Sequence, residues 1–292
     1  MGAAICDYFC ISTARDDGLE LLDNLRPVIE AAGGSDQGPH LFEFPSGGTI
    51  KHHARGQVYV VGVSGAALAH FRGLDLFDRY LWGIVESPPH RVTQMHATMD
   101  FAEHAPPVVR RLFSRASKGG IHLTRKAIKA KDVNKYFGVN DDGEETGTVY
   151  LGNRRQDVWA KVYDKRHERL CRGYADPGPM LRVEVSISGK MGISLRDVSE
   201  PDAVFYHFAS PGLVAAPPGA PVWEPGGSAL KLPPKVALLP AQRLMRLLSG
   251  SPDIRRALEL AEQIGPHGKD FLYRKLDQMC SQAACAAVGA PA

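Results

Sequence analysis

TVYLGNRRQDVWAKVYDKRHER, residues 148–169, reads as a β-hairpin that displays one tyrosine between lysines on a single face. The first arm, Thr148 to Gly152, is short and β-prone, Asn153 to Gln156 supply the turn, and the return arm alternates from Asp157 to Lys165. Successive strand side chains point to opposite faces, so Val158, Ala160 and Val162 share one face and Trp159, Lys161, Tyr163 and Lys165 the other. From Arg154 to Arg172 there are seven basic residues against three acidic ones, although the whole 292-residue chain nets only +3. Charge is therefore concentrated around Tyr163, as a tyrosine nucleophile aimed at a phosphate requires.

Two further segments alternate in the same way. In VTQMHATMDF, Met95, Ala97, Met99 and Phe101 form one face and Gln94, His96, Thr98 and Asp100 the other. In LRVEVSIS, Leu181, Val183, Val185 and Ile187 face one way, and Arg182, Glu184, Ser186 and Ser188 the other. Three strands thus offer an apolar face to a core. Carboxylates, an imidazole and cations on the opposite faces suit a hard divalent ion placed between protein and phosphate.

These residues carry a family resemblance. The chain resembles the Rep_trans replication-initiation family, which includes rolling-circle initiators of plasmids and filamentous phages and nicking relaxases of conjugative elements. The pattern is a T-x-Y-x-G strand, a polar turn and a hydrophobic strand ending Y-D/N-K-x-x-E, here Tyr163, Asp164, Lys165 and Glu168. A later R-x-E strand is matched by Arg182 and Glu184, and an earlier T-R-x-D-x-x-x-D strand in part, by Thr93, Gln94, His96 and Asp100. Its first arginine and first aspartate are replaced. The match is good over residues 145–188 and weaker from about 58 to 144.

The resemblance implies an α+β fold of antiparallel β-sheets with helices packed on one side. It also implies a DNA nicking and strand-transfer enzyme, in which Tyr163 attacks a backbone phosphate to give a 5′-phosphotyrosyl link and a free 3′-hydroxyl. Origin DNA, the nicked single strand and a host helicase would be its partners, with a homodimer as the suggested assembly. A phenol with pKa near 10 needs help to act at neutral pH, which Lys161 and Lys165 are expected to give, while Arg182 would offset the charge growing on the attacked phosphate. Mg²⁺ or Mn²⁺ would be held by Glu184 with His96 or Asp100. Those two lie four residues apart on one strand, roughly 13 Å between Cα atoms, so they compete for the second position. An O/N donor set that includes His96 favours Mn²⁺. The changed residues at 94 and 96 leave a second reading open, a DNA-binding protein of the same fold that does not cut.

A second basic block runs from Arg110 to Lys135, with nine basic residues against Asp132 alone. It reads as a backbone-binding footprint in which Arg125, Lys126 and Lys129 join Arg154, Arg155 and Arg166 of the hairpin region. A tyrosine recombinase is disfavoured: His122 and Arg125 fit one fragment of that pattern, but the sequence around Tyr163 is β-rich. Initiators with a His-hydrophobic-His metal strand are excluded because no His-x-His occurs. The five cysteines lack zinc spacing, no apolar run is long enough to span a bilayer, and no signal peptide is evident, so a cytoplasmic protein is expected.

Along the chain, residues 5–13 read as a strand and 19–32 as a helix closed by Gly33 and Gly34. Residues 57–63 and 66–72 read as paired strands about Ser64 and Gly65, and 75–86 as a helix stopped by Ser87, Pro88 and Pro89. The expected organisation is an initiator domain over 1–208, a Pro/Gly-rich linker over 209–240 and a C-terminal helical region over 241–292.

Overall fold

Period-2 alternation builds one sheet. The computed structural model describes residues 3–226 except 39, 125, 126, 140–142 and 211. These belong to a compact unit, Met1–Leu232; the helices expected over 241–292 lie outside the described residues. In chain order the strands are β1 (Ile5–Ala14), β2 (Ser35–Asp36), β3 (Leu41–Glu43), β4 (Thr49–Arg55), β5 (Val58–Ser64), β6 (His90–Phe101), β7 (Val133–Val139), β8 (Glu145–Leu151), β9 (Val158–Asp164) and β10 (Leu181–Ser188). All join a single antiparallel sheet ordered β2-β3-β4-β5-β1-β6-β10-β9-β8-β7. The fold is thus α+β.

The helices are α1 (Gly18–Ala31), α2 (Gly65–Gly73), α3 (Phe77–Val85), α4 (Ala105–Ser117), α5 (Lys165–Cys171), α6 (Leu195–Ser199) and α7 (Asp202–Ala209). On one face of the sheet, Phe9, Ile11, Met95, Ala97, Met99, Val183, Val185, Ala160 and Val162 are buried in a single apolar cluster. α3 reaches that face through Tyr80 beside Phe9, α4 through Val109 near Gly147, and α7 through the Tyr206 hydroxyl on Met99. Each fully buried aliphatic or aromatic side chain there contributes about 1.5–3 kcal/mol. That face is the core, so chemistry is left to the opposite, open face.

Residues 66–72 are not a strand. Ser64 accepts hydrogen bonds from the Ala67 and Thr49 amides, and its side chain turns the chain into α2, whose buried Ala67, Leu68 and Phe71 follow helical spacing. The true partner of β5 is β4, joined through Gly56 at φ 60°. Of the expected linker, Ala209 belongs to α7, and residues 212–226 have no helix or strand, yet Trp223 is buried against Phe208 and donates to Asp197 at 2.9 Å.

Candidate active site on the open face

The hairpin forms as β8 and β9, with Thr148 opposite Tyr163 and Tyr150 opposite Lys161. Asn153 shapes its turn, accepting from the Arg155 amide at 3.0 Å through its side chain and from the Gln156 amide at 2.8 Å through its carbonyl. On the other side of β9, β10 sets Arg182 opposite Tyr163 and Glu184 opposite Lys161. β6 lies beyond, with Asp100 opposite Arg182 and His96 opposite Ser186. Register alone therefore gathers the tyrosine, the cations and the acids on one surface.

Tyr163 points to the open face but is only 6% exposed, because long side chains close over it. Lys161 stands over the ring with Nζ 3.7 Å from its centroid, a cation–π contact. Lys165 does not extend the strand: the strand ends at Asp164, which caps α5 by accepting from the His167 amide at 2.9 Å. The Lys165 ammonium binds Glu168 at 2.7 Å. Glu168 also pairs with Arg172 at 2.8 Å and lies near the Tyr163 hydroxyl. Burial pushes against the Glu168 charge, but Lys165, Arg172 and that hydroxyl outweigh it and hold the carboxyl below its ordinary range. Burial pushes the Tyr163 phenol well above its own range, with Arg182 acting weakly the other way. An ionised Tyr163 therefore needs a further positive charge or a proton acceptor at the oxygen.

Arg182 is buried and fully engaged. Its Nε and Nη2 donate to the two Asp100 oxygens at 2.6 and 2.7 Å, and Nη1 donates to Asp7 at 2.9 Å. Asp7 reaches this face because of a β-bulge. Cys6 pairs with Ala97 and Tyr8 with His96, so Asp7 is the extra residue on β1. Burial raises the Asp7 pKa, opposed by Arg182 and Lys165. Asp7 and Glu168 are the two residues of this cluster without a role in the sequence-based site. The bulge has no sequence signature, whereas Glu168 stands in the Y-D-K-x-x-E motif.

The acids expected to hold a cation are only partly brought together. Asp100 is occupied by Arg182, whereas His96 Nδ1 lies 3.4 Å from Glu184 Oε1. Burial, with Arg154 and Lys161 nearby, lowers the His96 pKa to about 4, so the contact joins a neutral imidazole to a carboxylate and is no ion pair at neutral pH. The Gln94 side-chain amide nitrogen lies 3.2 Å from His96 Nε2 and, donating to it, fixes the ring. Among the described residues, no group of three or more His, Cys, Asp and Glu is placed to hold one ion. The donors present fit a cation held by two protein ligands and completed by phosphate oxygens, an arrangement Mg²⁺ and Mn²⁺ accept.

The basic residues separate. Arg110 binds Glu145 and, with Lys135, lies by Phe137 on the helix-covered side, so these two are not part of an open-face footprint. Arg166 is held by Glu144 at 2.6 Å and Asp176 at 2.8 Å. Lys129 is exposed, and Arg125 and Lys126 lie outside the described residues. Arg154 stands over Trp159, with its guanidinium 5.7 Å from the ring, and Arg155 is exposed at the hairpin turn. Among the described residues no helix is long and apolar enough to cross a membrane.

No family model and no curated protein matches the chain. Among solved structures, the chain is similar to a rolling circle replication initiator protein from Geobacillus stearothermophilus. The identity is 13% and the TM-score 0.41, over 64% of this chain and 74% of that one.

Proposed function

We propose that the protein is a rolling-circle replication initiator that nicks and rejoins DNA through Tyr163. The observation that carries this is the open-face cluster, in which Tyr163 lies among Lys161, Arg182 and Glu168 with the His96–Glu184 pair one strand pairing away. In the forward step the phenol gives its proton to the Glu168 carboxylate while its oxygen attacks phosphorus. The bond from phosphorus to the 3′ oxygen breaks. That oxygen takes a proton from the Lys161 ammonium, leaving a 5′-phosphotyrosyl ester and a free 3′-hydroxyl. Rejoining is the same path reversed. Arg182 pairs with both Asp7 and Asp100, so the phosphate does not meet two bare carboxylates.

His96 and Glu184 would hold the divalent cation, Mg²⁺ or Mn²⁺. When bound it would polarise a phosphoryl oxygen and offset the charge that grows in the transition state. The test is covalent capture: the protein with a single-stranded oligonucleotide and Mn²⁺ should yield a denaturant-resistant adduct. Glu184→Ala should slow adduct formation roughly a hundredfold if the ion supplies several kcal/mol. Full activity of the parent protein in excess chelator would sink the metal assignment.

A DNA-binding protein of the same fold that does not cut is the competing reading. Failure of the parent protein to form any adduct favours it. Both readings require cations near the hairpin to meet phosphate. Neutralising Arg154 and Arg155 together should flatten the dependence of log affinity on log salt by about two units. An unchanged slope would remove this rim from the DNA contact.

A further inference from the structure

The open face carries aromatic rings that the strand-transfer chemistry leaves unused. Tyr136, Tyr150, Trp159, His96 and Tyr8 form one row across the sheet, with successive ring centroids 5.8, 6.4, 6.1 and 4.9 Å apart. Trp159 and His96 meet across β10 because the residue opposite both is the small Ser186. Tyr150 is opposite Lys161, which covers the Tyr163 ring, so the row starts one side chain from the proposed nucleophile. The row lies outside the apolar cluster, and its exposure falls from Tyr136 at the outer end, 63% exposed, to Trp159, which is buried behind Tyr150 and Arg154.

Two clefts of about 400 and 370 Å³ open onto the row and share Tyr150, Arg154 and Trp159. Lys131, Arg154 and Lys161 line them, with Asp132 and Glu184 as the acids. Shallow aromatic surface edged by cations does not suit a compact apolar ligand. It suits a flexible polyanion with flat faces to stack, and in an intact duplex those faces are hidden in the base stack.

We propose that Tyr136 and Tyr150, backed by the buried Trp159, are the track on which the unpaired DNA strand stacks its bases beside Tyr163. The inference rests on the strand-transfer reading and adds the route of the strand. It is tested with the full chain by fluorescence anisotropy of a labelled oligodeoxythymidine and of a duplex of the same length, across a salt series. Tyr136→Ala and Tyr150→Ala should each weaken single-strand binding about tenfold, the loss expected for one stacked base. The salt slope should stay unchanged because no charge is removed. Duplex affinity should hold, and Tyr136→Phe, which keeps the ring, should restore single-strand binding. Parent-like single-strand affinity in both alanine variants overturns the track, as does an equal loss on the duplex. The strand-transfer reading fails separately, if the parent protein bound to the oligonucleotide forms no adduct with Mn²⁺.

Discussion

Tyr163→Phe is expected to abolish the covalent DNA adduct completely while leaving DNA affinity within about twofold of the parent. The substitution removes one oxygen, which in the proposed reaction is the atom joined to phosphorus. The ring stays beneath the Lys161 ammonium, so the cation–π contact and the packing survive. Glu168 keeps Lys165 and Arg172, so the charges around the ring are unchanged. Denaturing electrophoresis of a labelled oligonucleotide reads the adduct, and anisotropy reads affinity. Tyr150→Phe keeps its ring and should leave the adduct intact. If Tyr150→Phe removed the adduct and Tyr163→Phe did not, the nucleophile would be misassigned.

The second large effect is on folding. Arg182→Met should lower the urea midpoint by an amount equivalent to about 3–5 kcal/mol, the usual cost of removing one partner from a buried ion pair. Asp7 and Asp100 would then face each other without the guanidinium between them, Lys165 alone still acting on Asp7. Arg182→Lys should recover little, because a single ammonium cannot donate through Nε, Nη1 and Nη2 to three carboxylate oxygens in fixed directions. Adding Asp100→Asn to Arg182→Met should return part of the loss. The sign with pH follows from Asp7, whose folded pKa is already raised by burial and would rise further without Arg182. A carboxyl with a raised folded pKa favours the folded state when protonated, so the deficit should shrink as pH falls through the carboxylate range. An unchanged midpoint would show that the buried fork is not what neutralises the two acids. Loss of nicking in Arg182 variants is informative only beside that stability measurement.

Much of the site was legible because a strand's side-chain period is 2. Once Val158, Ala160 and Val162 were assigned to the core, Lys161 and Tyr163 had to share the other face, and the same parity brought Arg182 and Glu184 beside them. Parity says which face a residue takes but not what lies above it. The cover over Tyr163 comes from Lys161, Lys165 and Glu168, the last two on a helix that starts where a longer strand was expected. Nor does parity survive a bulge, which is why Asp7 went unassigned. Alternation across a short apolar run also misled: Ala66–Arg72 fits both periods, and the Ser64 cap decides for helix. That His96 and not Asp100 lies beside Glu184 was not readable either, because Arg182 claims Asp100 in a contact between strands 82 residues apart in sequence.

The order of strands in the sheet has a consequence for synthesis on the ribosome. β1 is made first yet lies in the middle of the sheet, and its neighbour β6 cannot be flanked on both sides until β10 has emerged, residues 181–188. A nascent chain ending before that point exposes the whole β6 edge, with Asp7 and Asp100 drawn to the same surface and the arginine that neutralises them not yet available. The amino-terminal half is therefore a poor resting state, held back by unpaired backbone and like charge together. Closure waits for the β1–β6 and β6–β10 pairings, whose long sequence separation slows folding.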